Sequence, residues 1–181
     1  MKLVALGVAL MLPIAAYADN TVTFLGEVSD STCNVTVNGT EGNVSVLLPT
    51  ALATDLASEG STAQPTTFNF VVSGCTAAAS GADSTVAMRL VPLQTSSNGN
   101  LENIASTGAA ENVSIQLVDN YNSANTKINF SSGDYTTAFA TLPTTTAGTT
   151  VTFPFTAQYY SAGSATAGKV EAQVQYALSY E

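Results

Sequence analysis

Lys169-Val170-Glu171-Ala172-Gln173-Val174-Gln175-Tyr176-Ala177-Leu178-Ser179-Tyr180 alternates for the length of a full strand. With a side-chain period of two, Val170, Ala172, Val174, Tyr176, Leu178 and Tyr180 face one way, while Glu171, Gln173, Gln175 and Ser179 face the other. The sequence stops one residue later, at Glu181. A long apolar strand at a terminus leaves its outer edge open for pairing unless another segment covers it. The same period appears near the other end in Thr21-Val22-Thr23-Phe24-Leu25-Gly26-Glu27-Val28, which puts Val22, Phe24, Gly26 and Val28 on one face and Thr21, Thr23 and Glu27 on the other. A glycine inside an apolar face contributes no packing, so its natural place is where another group fills the space. A first sandwich strand with a bulge would use one equally well.

Between these two segments, short β-branched or alternating runs recur: Cys33 to Val37, Val44 to Leu48, Thr67 to Val72, Ser84 to Val91, Val113 to Val118, Lys127 to Phe130 and Val151 to Tyr160. Turn-forming clusters such as Asn38-Gly39, Ser97-Asn98-Gly99-Asn100, Ser131-Ser132-Gly133-Asp134 and Ala162-Gly163-Ser164 separate them. Regular short strands with turns between them predict an all-β antiparallel sandwich of the immunoglobulin kind. One short helix is expected over Ala51 to Glu59, with Leu52 and Leu56 four apart and Thr50 as its cap. Asp119-Asn120-Tyr121-Asn122 reads as a hairpin turn, and Thr141 to Thr150 as a surface loop.

Composition narrows the chemistry. The 181 residues are 45% hydrophobic and only 9% charged, against a typical charged fraction of about 25%. Four Lys and Arg against 13 Asp and Glu leave a net charge of −9, a poor endowment for nucleic acid, which demands basic groups along its phosphates. Without histidine, the Ser-His-Asp and Cys-His constellations are excluded. Two cysteines do not make a structural zinc site, and no Asp-x-Asx-x-Asx-Gly loop offers one for calcium. No metal or cofactor is expected. The carboxylates Asp30, Glu41, Asp55, Glu59, Asp83, Glu102, Glu111, Asp119 and Asp134 are scattered singly, as solvated surface charges are. Paired carboxylates suffice for a secreted glycosidase, but the spacing nominates no pair, and no enzyme is predicted.

Met1 and Lys2 precede an apolar run from Leu3 to Ile14 and then Ala16-Tyr17-Ala18, the small-x-small pattern of a signal-peptidase site. Residues 1–18 are read as a cleaved secretory signal, too short in its apolar part for a membrane span of about 20 residues. No stable membrane insertion is expected. Export to an oxidising compartment favours a disulfide between Cys33 and Cys75. Closing a loop of about 40 residues would contribute roughly 4 kcal/mol in the chain-entropy model. The Cys-x-x-Cys spacing of a redox-active pair is absent.

Taken as a set, the signal, the alternating arm Val22-Thr23-Phe24-Leu25-Gly26-Glu27-Val28 before Cys33, the second cysteine at Cys75, Gly168 fourteenth from the end and penultimate Tyr180 resemble chaperone-usher pilins. The stretch Phe24 to Val35 with Val37-Asn38-Gly39 looks closest to major shaft subunits of the type 1 and type 3 kind. The resemblance implies an immunoglobulin-like sandwich lacking its seventh strand, completed by a donor strand from a neighbouring subunit. It divides the chain into a signal at 1–18, a donor-strand arm and hinge at 19–32, and an incomplete domain at 33–181. Val22, Phe24, Gly26 and Val28 would be the donor face. Gly168, Val170, Ala172, Val174, Tyr176, Leu178, Tyr180 and Glu181 would form the acceptor-groove and chaperone-contact strand. The implied partners are copies of the chain and other pilins, a periplasmic chaperone and an outer-membrane usher. The implied role is a structural fimbrial subunit on a Gram-negative cell surface, exported through the periplasm and supporting adhesion or biofilm. In such an organism the five Asn-x-Ser/Thr sequons would stay unmodified. The arm begins too near the mature N-terminus to leave room for the extra domain of a tip adhesin. A secreted or surface β-sandwich that binds carbohydrate is the alternative, with Tyr121, Tyr135, Tyr159 and Tyr160 as its available aromatics.

Overall fold

The computed structural model describes residues 32–76, 85–143 and 149–181. The signal and residues 19–31 of the arm and hinge, with the donor face Val22, Phe24, Gly26 and Val28, lie outside the described residues, as does half of the Thr-rich loop. Two antiparallel sheets face each other. The first contains β1 (Thr32–Val37), β2 (Thr62–Thr76), β4 (Val113–Asp119), β5 (Thr126–Lys127) and β8 (Thr150–Ser161), in the spatial order β1-β2-β8-β4-β5. The second is built on β3 (Thr85–Pro92), with the short β6 (Tyr135–Thr136) and β7 (Ala140–Thr141) on one side and β9 (Val174–Tyr180) along the other. Between β6 and β7, Thr137 keeps contact with β3 by its backbone and its hydroxyl, each bonded to Met88.

The period of two decides what goes inside. Phe68, Phe70 and Val72 of β2, Val86, Met88 and Leu90 of β3, and Phe153, Phe155 and Ala157 of β8 are all buried in one core. The aromatic rings interlock, with Phe70 edge-on to Phe155 at 5.5 Å and, across the sandwich, 5.0 Å from Tyr176. Pro154 sits inside β8 without breaking the sheet. Its carbonyl accepts from Asn120 N–H just past the end of β4, so the missing Pro N–H faces a stretch where the β4 ladder has already ended. Cys33 and Cys75 form the expected disulfide, joining β1 to β2.

Several local expectations need correction. Ala51 to Glu59 holds only a 3-10 turn, Ala53–Leu56, whose N-terminal residue is Leu52 with no side-chain cap bond from Thr50. The segment is too short for an α-helix, and it is anchored by burial of Leu56, whose carbonyl accepts from the Ser161 hydroxyl at 2.7 Å. Of the expected strand Lys127 to Phe130 only Lys127 lies in β5; Ile128 and Phe130 put their side chains in the core, while Ile128 N–H still donates to Leu117 O of β4 and Phe130 N–H donates to Gly99 O. Val44 to Leu48 is paired with no strand among the described residues. Asp119 is not a solvated surface charge. It is buried, with one carboxylate oxygen accepting from Tyr121 N–H at 2.8 Å and the other from the Tyr135 hydroxyl at 2.7 Å. Burial first, and then that bond and the negative charge of Asp119, push the Tyr135 hydroxyl well above the ordinary tyrosine range.

Candidate functional site

Among the described residues β9 has a strand neighbour on one side only. Thr85 and Glu181 exchange two backbone bonds, at 2.8 and 3.1 Å, so they are a hydrogen-bonded pair, and every second residue back along the strand directs its backbone to β3. The residues between, Val174, Tyr176 and Leu178, therefore aim N–H and C=O at the outer edge, where no strand is paired among the described residues. Their side chains point into the sandwich and stay half-buried.

The row continues upstream on a different support. β3 ends at Pro92, so the expected strand over Lys169 to Tyr180 is a sheet ladder only from Val174 onward. Gly168 to Gln173 docks instead on the loop that follows β3. Lys169 N–H donates to Gly108 O at 2.7 Å, Ile104 N–H to Glu171 O at 2.8 Å and Leu93 N–H to Gln173 O at 3.1 Å. Asn103 organises this contact. Its amide donates to Ala110 O and Lys169 O and accepts from the N–H groups of Ala105 and Glu171, using the full capacity of the side chain. Nothing in the sequence pattern singles out Asn103. Gly168 has a steric reason: a Cβ there would lie 2.6 Å from Ala109 C and 2.7 Å from Ala110 Cα.

Facing this row is the extended segment Asn43 to Ala51. Val44, Val46 and Leu48 are half-buried against the core, whereas Asn43, Ser45 and Leu47 are exposed. Residues 43–50 make no backbone–backbone hydrogen bond among the described residues. Two walls with unpaired edges thus face each other over an apolar floor. The gap between them is a groove of two adjoining cavities, about 700 and 710 Å³. One is floored by Phe68, Phe70, Leu117 and Ala157, the other by Leu56, Ala110 and Val113. Leu47, Tyr159, Val170 and Glu171 border both, which makes Tyr159 and Val170 a constriction between the halves. Burial pushes the Tyr159 hydroxyl above its ordinary range. At the far end the Tyr176 hydroxyl donates to Gly42 O at 2.9 Å and Cys33 N–H donates to Tyr180 Oη at 3.2 Å, drawing the walls together.

The structure thus brings Gly168, Val170, Ala172, Val174 and Tyr176 onto one wall, with Leu178 and Tyr180 beyond the closed end and Glu181 bonded to Thr85. Asn43 to Ala51, expected in part as a strand, is the wall that sequence reasoning did not assign to the groove. The four tyrosines considered for carbohydrate do not converge: Tyr121 packs on Phe153, Tyr135 binds Asp119, and Tyr159 lies in the groove. Among the described residues no three Asp, Glu, Cys or His side chains cluster as metal ligands, and no helix is long and apolar enough to cross a membrane.

Residues 22–181 match the fimbrial protein family. The chain belongs to that family. It is 37% identical over 165 residues to the F17 fimbrial protein of Escherichia coli, covering 90% of this chain and 88% of that one. The minor fimbrial subunit HifD of Haemophilus influenzae is 34% identical over 177 residues, covering 95% of this chain and 79% of its own. In fold the chain resembles the crystal structure of the P pilus rod subunit PapA, with a TM-score of 0.62 and 16% identity over 82% of this chain and 99% of that one. This fimbrial protein is a structural subunit of fimbriae.

Proposed function

We propose that this fimbrial subunit polymerises by donor-strand exchange, its groove receiving the arm at residues 19–32 of the next copy. The carrying observation is the pair of facing walls, each with a backbone edge unpaired among the described residues, over an apolar floor. An extended segment between them would bond to both edges, which is strand addition at an open sheet. The lengths agree. Val22 to Val28 spans about 20 Å at roughly 3.3 Å per residue, as does Gly168 to Val174, the stretch before the Tyr176–Gly42 closure. Burying Val22, Phe24 and Val28 would contribute very roughly 5 to 9 kcal/mol before ordering costs. Gly26 is the arm residue set beside Tyr159 and Val170, where the two cavities meet. Before assembly a periplasmic chaperone fills the same groove and grips the strand ending at Tyr180 and Glu181, and an outer-membrane usher exchanges it for an arm.

The test is SDS electrophoresis, with and without boiling, of the mature chain and of a version lacking residues 19–29, each co-expressed with a matching chaperone and usher. A boiling-sensitive ladder that vanishes with the deletion is expected. A monomer in both lanes, stable without a chaperone, overturns the reading. Gly26→Leu is expected to block or slow subunit addition while the chaperone-bound subunit stays folded; unchanged assembly would remove the role given to Gly26.

A further inference from the structure

The donor wall and the acceptor wall are complementary in size at one register. Val170 borders both cavities together with Tyr159, and that register sets Gly26, the smallest residue of the arm's apolar face, opposite it. An antiparallel arm then sets Val28 against Gly168, Phe24 against Ala172 and Val22 against Val174, so that the largest arm residue meets a small wall residue. A shift of two residues along the wall toward Ala172 sets Gly26 against Ala172 and Phe24 against Val174, leaving a void beside a clash. Size alone does not choose between the two strand directions, since a parallel arm at this register also puts Phe24 and Val28 against Gly168 and Ala172.

Charge does choose. Residues opposite each other across a strand pair share a face, and side chains directly opposite approach to about 5 Å. With Gly26 at Val170, an antiparallel arm puts outward-facing Glu27 directly opposite exposed Lys169, whereas a parallel arm puts it opposite Glu171. Lys169 is one of only four basic residues in the whole sequence. Among the described residues the one salt bridge is Arg89–Asp134, so the Lys169 ammonium has no ionic partner among them. On the opposite wall, at the constriction, Leu47 is 90% exposed and offers outward-facing Leu25 an apolar neighbour.

We propose that Lys169 of one subunit pairs with Glu27 on the arm of the next, and that this ion pair on the outer face sets the register and direction in which the arm enters the groove. The proposal rests on the donor-strand reading above. Its test measures the rate at which synthetic arm peptides of residues 19–31 displace the chaperone from the full-length mature subunit, read as peptide-bound subunit on a native gel. Glu27→Gln in the peptide is expected to slow entry roughly two- to fivefold, the range of an exposed ion pair. Glu27→Lys in the peptide, or Lys169→Glu in the subunit, is expected to slow it roughly five- to tenfold, because attraction becomes repulsion. The two reversals combined are expected to restore the rate to within about twofold, and all differences should collapse in about 1 M salt. Wild-type peptide that enters at a rate indifferent to these charges, or a double reversal that stays slow, overturns the ion pair and leaves strand exchange standing. A wild-type peptide that enters no subunit overturns strand exchange, and the ion pair with it.

Discussion

β8 and β9 carry the same alternating pattern and meet different fates. Phe153 and Phe155 of β8 are 0% exposed and Ala157 is 4% exposed, whereas Val174, Tyr176 and Leu178 of β9 remain half-buried. β8 lies between β2 and β4, so both edges are bonded and the opposing sheet covers its apolar face. Among the described residues β9 has β3 alone, and the segment across from it, Asn43 to Ala51, stands a groove away. Alternation therefore reports which face of a strand is apolar. It does not report how many neighbours that strand has, and the proposed donor-strand site lies along the β9 edge that is unpaired among the described residues.

The sharpest way to break this contrast is to truncate one side chain in each strand. Phe155→Ala should cost about 3–5 kcal/mol, the usual range for a buried aromatic. Val174→Ala should cost roughly 1 kcal/mol in the open subunit, because a half-buried valine has less to lose. Guanidinium unfolding repeated with an arm peptide bound should enlarge the Val174 effect and leave the Phe155 effect unchanged. Equal growth of both would mean that the groove is not what leaves β9 exposed.

Cys33→Ser should cost about 2–5 kcal/mol by removing the bridge that closes a long loop. Because Cys33 N–H also meets Tyr180 Oη, the same variant should raise amide exchange in β9 more than in β4. Next in size is Asn103→Ala, roughly 2–3 kcal/mol for several lost bonds to backbone groups. Faster amide exchange at Ile104, Ala105 and Glu171 with β8 amides unaltered would locate that effect in the upstream half of the wall.

The smallest effect is tied to pH. Tyr135 titrates above the ordinary tyrosine value of 10.0 in the folded chain, so the fold favours its neutral form. Its contribution is complete below that value and is lost as pH rises above it, because the unfolded chain releases the proton first. Tyr135→Phe should cost roughly 1–2 kcal/mol at neutral pH by leaving buried Asp119 one donor short. It should also flatten the decline of the guanidinium midpoint between about pH 8 and about pH 11, with Tyr159 retaining part of the slope.

Much of the fold was legible because burial imposes a period of two. Phe68, Phe70, Val72, Phe153, Phe155 and the row from Val170 to Tyr180 could each be assigned to a face from spacing alone. The buried groups held by hydrogen bonds were not legible. Asp119 carries no mark distinguishing it from Asp134, since its burial depends on Tyr135, which reaches it from a different sheet. Asn103 likewise looks like any turn residue until Lys169 and Glu171 are brought alongside it.

The sequence by itself determined the all-β class, the disulfide partners and the alternating wall from Val170 to Tyr176, because these follow from local period, composition and cysteine count. Only the tertiary structure decided that Asn43 to Ala51 forms the opposite wall, that Tyr159 stands where the two cavities meet, and that Lys169 is exposed on the rim with no ionic partner among the described residues. Those facts depend on contacts between segments more than 100 residues apart in the chain, and no local pattern encodes the distance between two edges that do not touch.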